Sequence, residues 1–512
     1  MAHVDTLHVP LDRDKPVALA RQIQDHLARL IREGHLGDGV KLPATRELAK
    51  SLGVNRATVA LAYEELVAAG QARAHVGQGT FVVGASAAPR VPEPRGRAPI
   101  NWAGLLSRSA RIVAAEEDQW RRLASSDVSQ ATISFAGGMP DSGMFPTEAF
   151  RQVLNRVVRE EGDVLLQYYP ARGYPPLRQF LARYLLRFGV DATTDEILVV
   201  NGSQQGFDLV ARTFVDPGDF VAVEQPTYPR ALQVFRAAGA QMLAVPWTRE
   251  GPRPDVLERL FERHTPKLFY CQPNCHNPTG LSIAQDTARR LLAAAARREV
   301  PIVEDGFDPS LFYGRRPATP LKALDGDGIV IYIGTFSKIL FPGLRLGWVV
   351  AAPPVIERLV GAKQLADLHT SALLQAAVQR FCERRLLDRH ATRVATEYGS
   401  RRTLLIEALR RRMPEGVTWT EAEGGFSLLL TLPAGLDAAA LLPAAVARGV
   451  AFTPGRPFFV DGGGERTLRL SFSSVAARRI DEGARRLADT IKSAVKRPRP
   501  SGAADRTSVP VV

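Results

Sequence analysis

From Ile133 to about Lys492, short continuous apolar runs alternate with stretches of helical period. The runs within ILVVNG, KLFYCQP, PIVEDG and IVIYIG are strand-length, and helical patterns lie between them. That alternation specifies an α/β domain, in which strands form a sheet and helices cover it. At 512 residues the chain exceeds what one typical core organises, so at least one further domain is expected.

Composition marks where the second unit lies. Residues 10–84 are compact and periodic, and 85–99 read ASAAPRVPEPRGRAP, which has no apolar period and cannot bury a core. The expected organisation is a small domain at 10–84, a linker at 85–130, the α/β domain at 131–492 and a disordered basic tail at 493–512. The net charge of +13 comes from 66 Lys and Arg against 53 Asp and Glu. Residues 1–84 hold 10 basic and 9 acidic groups, so the excess lies mostly outside the first domain and is no argument for a polyanionic partner of it. Three cysteines make no disulfide framework. Cys271, Cys275 and His276 lack the further ligands a zinc site needs, so no metal is expected. No basic-apolar leader pattern and no membrane-length apolar run is present, and a cytoplasmic protein with no membrane partner is expected.

Leu19, Ile23, Leu27, Leu30 and Ile31 share one helical face, with Pro16 suited to the first turn. LPATRELAKSLGV is a short helix ending at Gly53. In NRATVALAYEELVAAG, Asn55 is an N-cap, Val59, Tyr63, Leu66 and Val67 form the buried stripe, and Gly70 is the stop. Two short helices joined by a glycine turn make a helix-turn-helix, and QARAHVGQGTFVV adds a hairpin wing broken at Gly77 and Gly79. In such a unit the start of the second helix meets base edges and phosphates. Asn55 can pair with adenine, Arg56 can read guanine or hold phosphate, Thr58 can do either, and Arg46 is placed for the backbone. The same pattern also serves helical protein-interaction modules. The run from PLARQIQDHL through LPATRELA and NRATV to GQGTFV resembles the winged helix of the GntR family of transcription regulators. By that resemblance Arg46, Asn55, Arg56, Thr58 and Gly77 contact an operator in double-stranded DNA.

Five segments of the large domain carry chemistry. A strand ends at Asn201-Gly202-Ser203-Gln204 where a helix begins, which aims N–H groups at an anion. Tyr228 follows another strand and can cover a flat ring, and Arg230 can meet a carboxylate. Asn277-Pro278-Thr279-Gly280 is a turn whose amide can donate to a phenolate. Glu304-Asp305 ends an apolar strand, where a carboxylate is costly without a cation. Lys338 follows IVIYIG, a setting that lowers an amine's pKa and favours imine formation, while Thr335, Ser337 and Arg345 supply donors. Taken singly each has a bland reading: an N-cap, a structural salt bridge, a surface lysine or arginine.

In this order they supply an anion cup, a ring cover, a carboxylate and an amine. NPTG, VEDGF and TFSKILFPGLRLGW make the segment set similar to fold type I pyridoxal-phosphate enzymes of the aspartate aminotransferase group. The resemblance implies that Lys338 is the catalytic, aldimine-forming lysine and Asp305 the pyridinium partner. It implies that Asn277 holds the ring oxygen, that Ser203, Gln204, Thr335 and Arg345 hold phosphate, and that Tyr228 lies against the ring. Arg469, in TLRLSFS, would bind a substrate carboxylate bidentately, and Tyr168 would reach a neighbouring subunit's phosphate, which makes a dimer. Phe307 stands where the family usually has Tyr, removing one hydroxyl from the ring oxygen.

A GntR-like reader joined to such a domain resembles the MocR subfamily of regulators. The expected fold is an α+β winged helix-turn-helix followed by an α/β fold type I aminotransferase-like domain. The expected function is a pyridoxal-phosphate-dependent regulator, a domain-swapped homodimer, that senses the cofactor or a small amino-containing ligand as an aldimine. The alternative is a working aminotransferase with an attached reader.

Overall fold

The computed structural model describes residues 7, 9–13, 17–33, 35–75, 79–83, 100–124, 131–306, 309–313 and 319–496. It divides into two units, 1–104 and 105–512.

In the first unit α1 (Leu19–Arg32) buries Ile23, Leu27 and Ile31, following the apolar period of its sequence. Each such burial contributes about 1.5–3 kcal/mol. α2 (Thr45–Leu52) stops at Gly53, which takes a left-handed conformation (φ 62°). α3 (Arg56–Ala68) begins at Asn55, whose side-chain oxygen accepts the Ala57 N–H at 3.0 Å. Val59, Ala62, Tyr63 and Leu66 are buried on α3. Val67, expected in that stripe, is exposed instead: it sits one residue beyond Leu66, about 100° around the helix from the buried face. The Tyr63 hydroxyl reaches the Pro43 carbonyl at 2.9 Å and ties α3 to the start of α2. β1 (Ala72–His75) and β2 (Gly79–Val82) form the wing, antiparallel with Ala72 opposite Val82. Pro16 and Gly77 lie outside the described residues.

Part of the 85–130 span, read from composition as linker, is helical: Trp102–Leu105 and Arg108–Ala124. The stretch 85–99, which has no apolar period, lies outside the described residues.

The second unit is built on an eight-stranded sheet. After β3 (Ile133–Ser134) come β4 (Ile197–Val200), β5 (Phe220–Gln225), β6 (Gln241–Thr248), β7 (Gly251–Pro252), β8 (Leu268–Cys271), β9 (Ile302–Asp305), β10 (Val330–Thr335) and β11 (Gly347–Val350). Their spatial order is β4-β11-β10-β9-β8-β5-β6-β7. β10, β9, β8, β5 and β6 are mutually parallel, and β11 runs against both its neighbours. Both faces are covered: Leu198 and Val200 enter one apolar cluster, Ile197 and Val199 another. That explains why these strands read as unbroken apolar runs. A four-stranded antiparallel sheet holds β12 (Thr418–Trp419), β13 (Ser427–Thr431), β15 (Thr453–Pro454) and β16 (Thr467–Ser471), while β14 (Val450–Ala451) pairs with β3. Helices Leu386–Arg412 and Ala477–Lys496 share one core with this smaller sheet. Among the described residues no helix is long and apolar enough to cross a membrane.

Candidate functional site: a lysine pocket at the strand ends

The carboxyl ends of β4, β5, β8, β9 and β10 point the same way, and open parallel sheets bind ligands at that edge. There the structure brings Ser203, Tyr228, Asn277, Asp305, Thr335, Lys338 and Arg469 into one pocket, with Gly138, Gln272 and Phe426.

On β9 the two-residue period sends Glu304 and Asp305 to opposite faces. Glu304 accepts the Leu321 and Lys322 N–H groups at 3.0 and 2.7 Å and is structural. Asp305 turns to the pocket, where Tyr270 Oη and Gln272 Nε2 donate to its Oδ2 at 2.7 and 3.1 Å. Burial pushes Asp305 up to about 7, against the pull of the Tyr270 bond. Sequence reasoning missed Tyr270 and Gln272. Their signal was the strand period, because residues i and i+2 of LFYCQ share a face.

Gln272 also accepts the Asn277 backbone N–H at 2.6 Å through Oε1. Asn277 Oδ1 in turn accepts Arg469 Nη1 at 3.1 Å. The Asn277 oxygen is therefore engaged, which directs its amide NH₂ elsewhere. Arg469 Nη2 meets the carbonyls of Ala136 and Gly137, each at 3.0 Å, and its Nε is buried with no partner. A bidentate carboxylate clamp at Arg469 thus needs the 136–137 segment to yield. Burial lowers the Arg469 guanidinium to about 10.

Lys338 lies in the β10–β11 connection and donates to the Gly138 carbonyl at 3.2 Å. Burial, reinforced by Arg469, lowers its amine to about 8, with Asp305 opposing. Thr335 Oγ1 accepts the Ser337 N–H at 3.1 Å and fixes the turn that leads to Lys338.

At the anion cup, helix Ser203–Phe214 starts after Gly202 (φ 76°). Arg345, at φ 51°, is exposed and donates to the Asn201 carbonyl at 3.1 Å, which sets it against this turn. Gly347 passes so close that a Cβ there would sit 3.0 Å from Ser203 N and 2.7 Å from Gly334 O, so only glycine fits. Behind the turn, fully buried Lys363 donates to Gln205 Oε1 and to Asp367, each at 2.9 Å, and Gln205 Nε2 donates to Asp367 at 2.6 Å. Gln205, absent from the sequence reading, is the glutamine this network holds. Gln204 is half-buried and does not line the pocket.

Three expected positions lie apart. Tyr168 is 79% exposed, packing edge-on against His369. Arg230 is exposed and bonded to Gln233 at 3.0 Å. Phe307 lies outside the described residues. In the first unit Arg46, Asn55 and Arg56 are exposed, Thr58 is half-buried, and Arg56 Nε reaches Thr45 Oγ1 at 3.4 Å. The N-cap bond occupies the Asn55 oxygen, so bidentate pairing with adenine must share or break that bond.

Comparison with known proteins matches residues 133–487 to aminotransferase class I and II and residues 19–82 to the gntR family of bacterial regulatory proteins. The chain is 31% identical to the probable rhizopine catabolism regulatory protein MocR of Rhizobium meliloti, over 92% of this chain and 94% of that one. The chain belongs to the MocR-type regulators. The MocR-type architecture explains a second likeness confined to the large domain. There the chain is 39% identical to aromatic-amino-acid aminotransferase 1 of Thermococcus litoralis, over 71% of this chain and 89% of that one. The crystal structure of the α-aminoadipate aminotransferase LysN of Thermus thermophilus, complexed with N-(5'-phosphopyridoxyl)-L-leucine, superposes with a TM-score of 0.71 at 38% identity, covering 77% of this chain and 99% of that one. Class I and II aminotransferases depend on pyridoxal phosphate. The MocR-type chain retains groups that fit it: a buried Asp305 that wants a cation, a desolvated amine at Lys338, and an anion cup against which Arg345 lies.

Proposed function

We propose that this protein is a pyridoxal-phosphate-dependent transcription regulator whose large domain senses the cofactor or an amino compound. The reading is carried by one observation: a desolvated lysine, a buried carboxylate and an arginine converge in one pocket of a chain that also holds a DNA-reading winged helix. Bound there, pyridoxal phosphate supplies an aldehyde for primary amines and a ring nitrogen cation. Lys338 holds the neutral amine that captures it, and Asp305 keeps the ring nitrogen protonated. Asn277 donates to the ring oxygen, Tyr228 covers the ring, and Ser203, Thr335 and Arg345 hold phosphate, with Gln205 bracing the turn. Arg469 takes a ligand carboxylate when the 136–137 carbonyls release it.

Arg46, Asn55, Arg56, Thr58 and Gly77 contact operator DNA. A homodimer, swapped so that each reader serves the partner's large domain, re-spaces two readers on paired half-sites when the pocket fills. Exposure of Val164, Leu166, Tyr168 and Leu365 supports a subunit partner for that surface. Linkage requires operator DNA to change ligand affinity by the factor by which ligand changes DNA affinity. Equal ligand affinity with and without operator would refute this coupling.

The complete pocket and the 39% identity to an aminotransferase favour one second reading, turnover. Incubation with amino acids and 2-oxoglutarate separates the two, since a pure sensor yields no keto-acid exchange.

A further inference from the structure

A second cavity, of about 600 Å³, borders the Asn277–Gly280 turn that also walls the lysine pocket. That is within the range of small-molecule sites. Two indoles, Trp247 and Trp419, give it flat apolar walls, and Arg249, Arg402, Thr279 and Glu423 supply polar ones.

Most of the polar wall is already committed. Thr279 Oγ1 bonds His276 Nδ1 at 2.7 Å, and Thr420 Oγ1 donates to the Thr279 carbonyl at 2.6 Å. Thr248 Oγ1 donates to the Gly251 carbonyl at 2.9 Å. Glu423 accepts the Ser282 N–H at 3.2 Å, and Glu421 is paired with Arg410. The Ser282 N–H leaves the Glu423 charge in place, but the hydrogen-bond donors still unspent are guanidinium groups. Arg402 spends only Nε, on the Ala422 carbonyl, and Arg249 has no hydrogen bond or ion pair among the described residues. Flat apolar walls with unspent guanidinium donors suit a planar anion, because the ring stacks while the fork binds a carboxylate.

We propose that this cavity binds an aromatic carboxylate and transmits its occupancy to the lysine pocket. The path is short. Trp247 stacks on buried His276 with centroids 3.9 Å apart and planes 4° from parallel, and His276 precedes Asn277 in the chain. Thr279 lines the cavity while Asn277 lines the lysine pocket, so one turn is the wall of both. A ligand that moves Trp247 or Thr279 moves the residue that holds Arg469. The transmission rests on the reading of the lysine pocket given above, whereas the binding does not.

The test is calorimetric titration of the full-length, cofactor-loaded protein with 2-naphthoate, and with neutral 2-naphthamide as the control. Arg249→Met and Arg402→Met should each weaken naphthoate about tenfold or more, as should the change to the amide. Arg249 is exposed, so its variant keeps the fold even if Arg402→Met does not. Arg212→Met, at an exposed arginine that lines neither pocket, should leave binding unchanged. Naphthoate should also shift the visible absorbance of the bound cofactor. No binding at millimolar probe, undiminished binding in the Arg249 variant, or an equal loss in Arg212→Met overturns the site. Binding with an unmoved spectrum overturns the transmission while leaving the lysine pocket itself intact.

Discussion

Arg469 donates from Nη1 to the side-chain oxygen of Asn277 at 3.1 Å, across 192 positions of sequence. Two groups with separate proposed duties, one toward a ring oxygen and one toward a carboxylate, therefore share a bond. Asn277→Ala should weaken both cofactor and amino-acid binding. The loss for an amino acid should be about tenfold or more, the usual worth of a charged hydrogen bond. Absorbance titration of the loaded protein measures it, and an unchanged amino-acid affinity would show that the shared bond does not orient Arg469.

Lys338 is lowered to about 8 chiefly by burial, with Arg469 adding to the effect. Capture of added pyridoxal phosphate needs the neutral amine, so its rate should rise with pH and level off above about 8. Removing the Arg469 charge in Arg469→Met should move that midpoint upward. Stopped-flow absorbance reads both, and a midpoint near the ordinary lysine value of 10.5 would contradict the desolvated setting.

Asp305 is raised from 3.8 to about 7 by burial. In the cofactor-free protein its ionised form is therefore a burden. The folded state binds this proton more tightly than the unfolded chain, so stability falls as pH rises between those values. The full displacement corresponds to up to about 4 kcal/mol. Asp305→Asn should raise the melting temperature at pH 8, leave it nearly unchanged at pH 4, and weaken cofactor binding at both. Thermal melts at the two pH values decide.

Lys363 is fully buried and bonds Gln205 and Asp367, and burial lowers its amine. Lys363→Met strands a carboxylate behind the anion cup and should cost about 3 kcal/mol. Adding Asp367→Asn should recover part of the loss, since the uncompensated charge goes. Urea melts of the single and double variants test the coupling.

In the reader, Arg46→Ala should weaken operator binding evenly across sequences and flatten the salt slope by about one ion, as a phosphate contact does. Arg56→Ala should instead relax preference at one base position if it reads guanine. Asn55→Ala removes the α3 cap and should cost about 1 kcal/mol of stability besides any contact. Binding isotherms at several salt concentrations, against matched and altered operators, separate the three.

Much of the reader was visible in the residues, because an apolar period is a local property. Ile23, Leu27 and Ile31 fall where the helix puts them, and Gly53 ends α2 for a reason written in its missing Cβ. Val67 was misplaced because one position of drift leaves the buried face. Asn55 reads both as an N-cap and as a base contact; the cap is there, and its oxygen is held by the helix it starts.

The large domain divides along the same line. Sequence alone picked out much of the pocket lining, since Ser203, Tyr228, Asn277, Asp305, Thr335 and Lys338 each follow or end an apolar run, and parallel strands align such ends. Only the tertiary structure decided what those residues touch. Tyr270 and Gln272 share a face by the strand period, but they meet Asp305 only because β8 pairs in parallel with β9, and Lys363 meets Gln205 across 158 positions of sequence. The second cavity likewise exists only because two distant indoles are folded onto one turn. Local backbone sterics and apolar spacing act over a few residues, whereas contacts between distant segments depend on how whole layers pack.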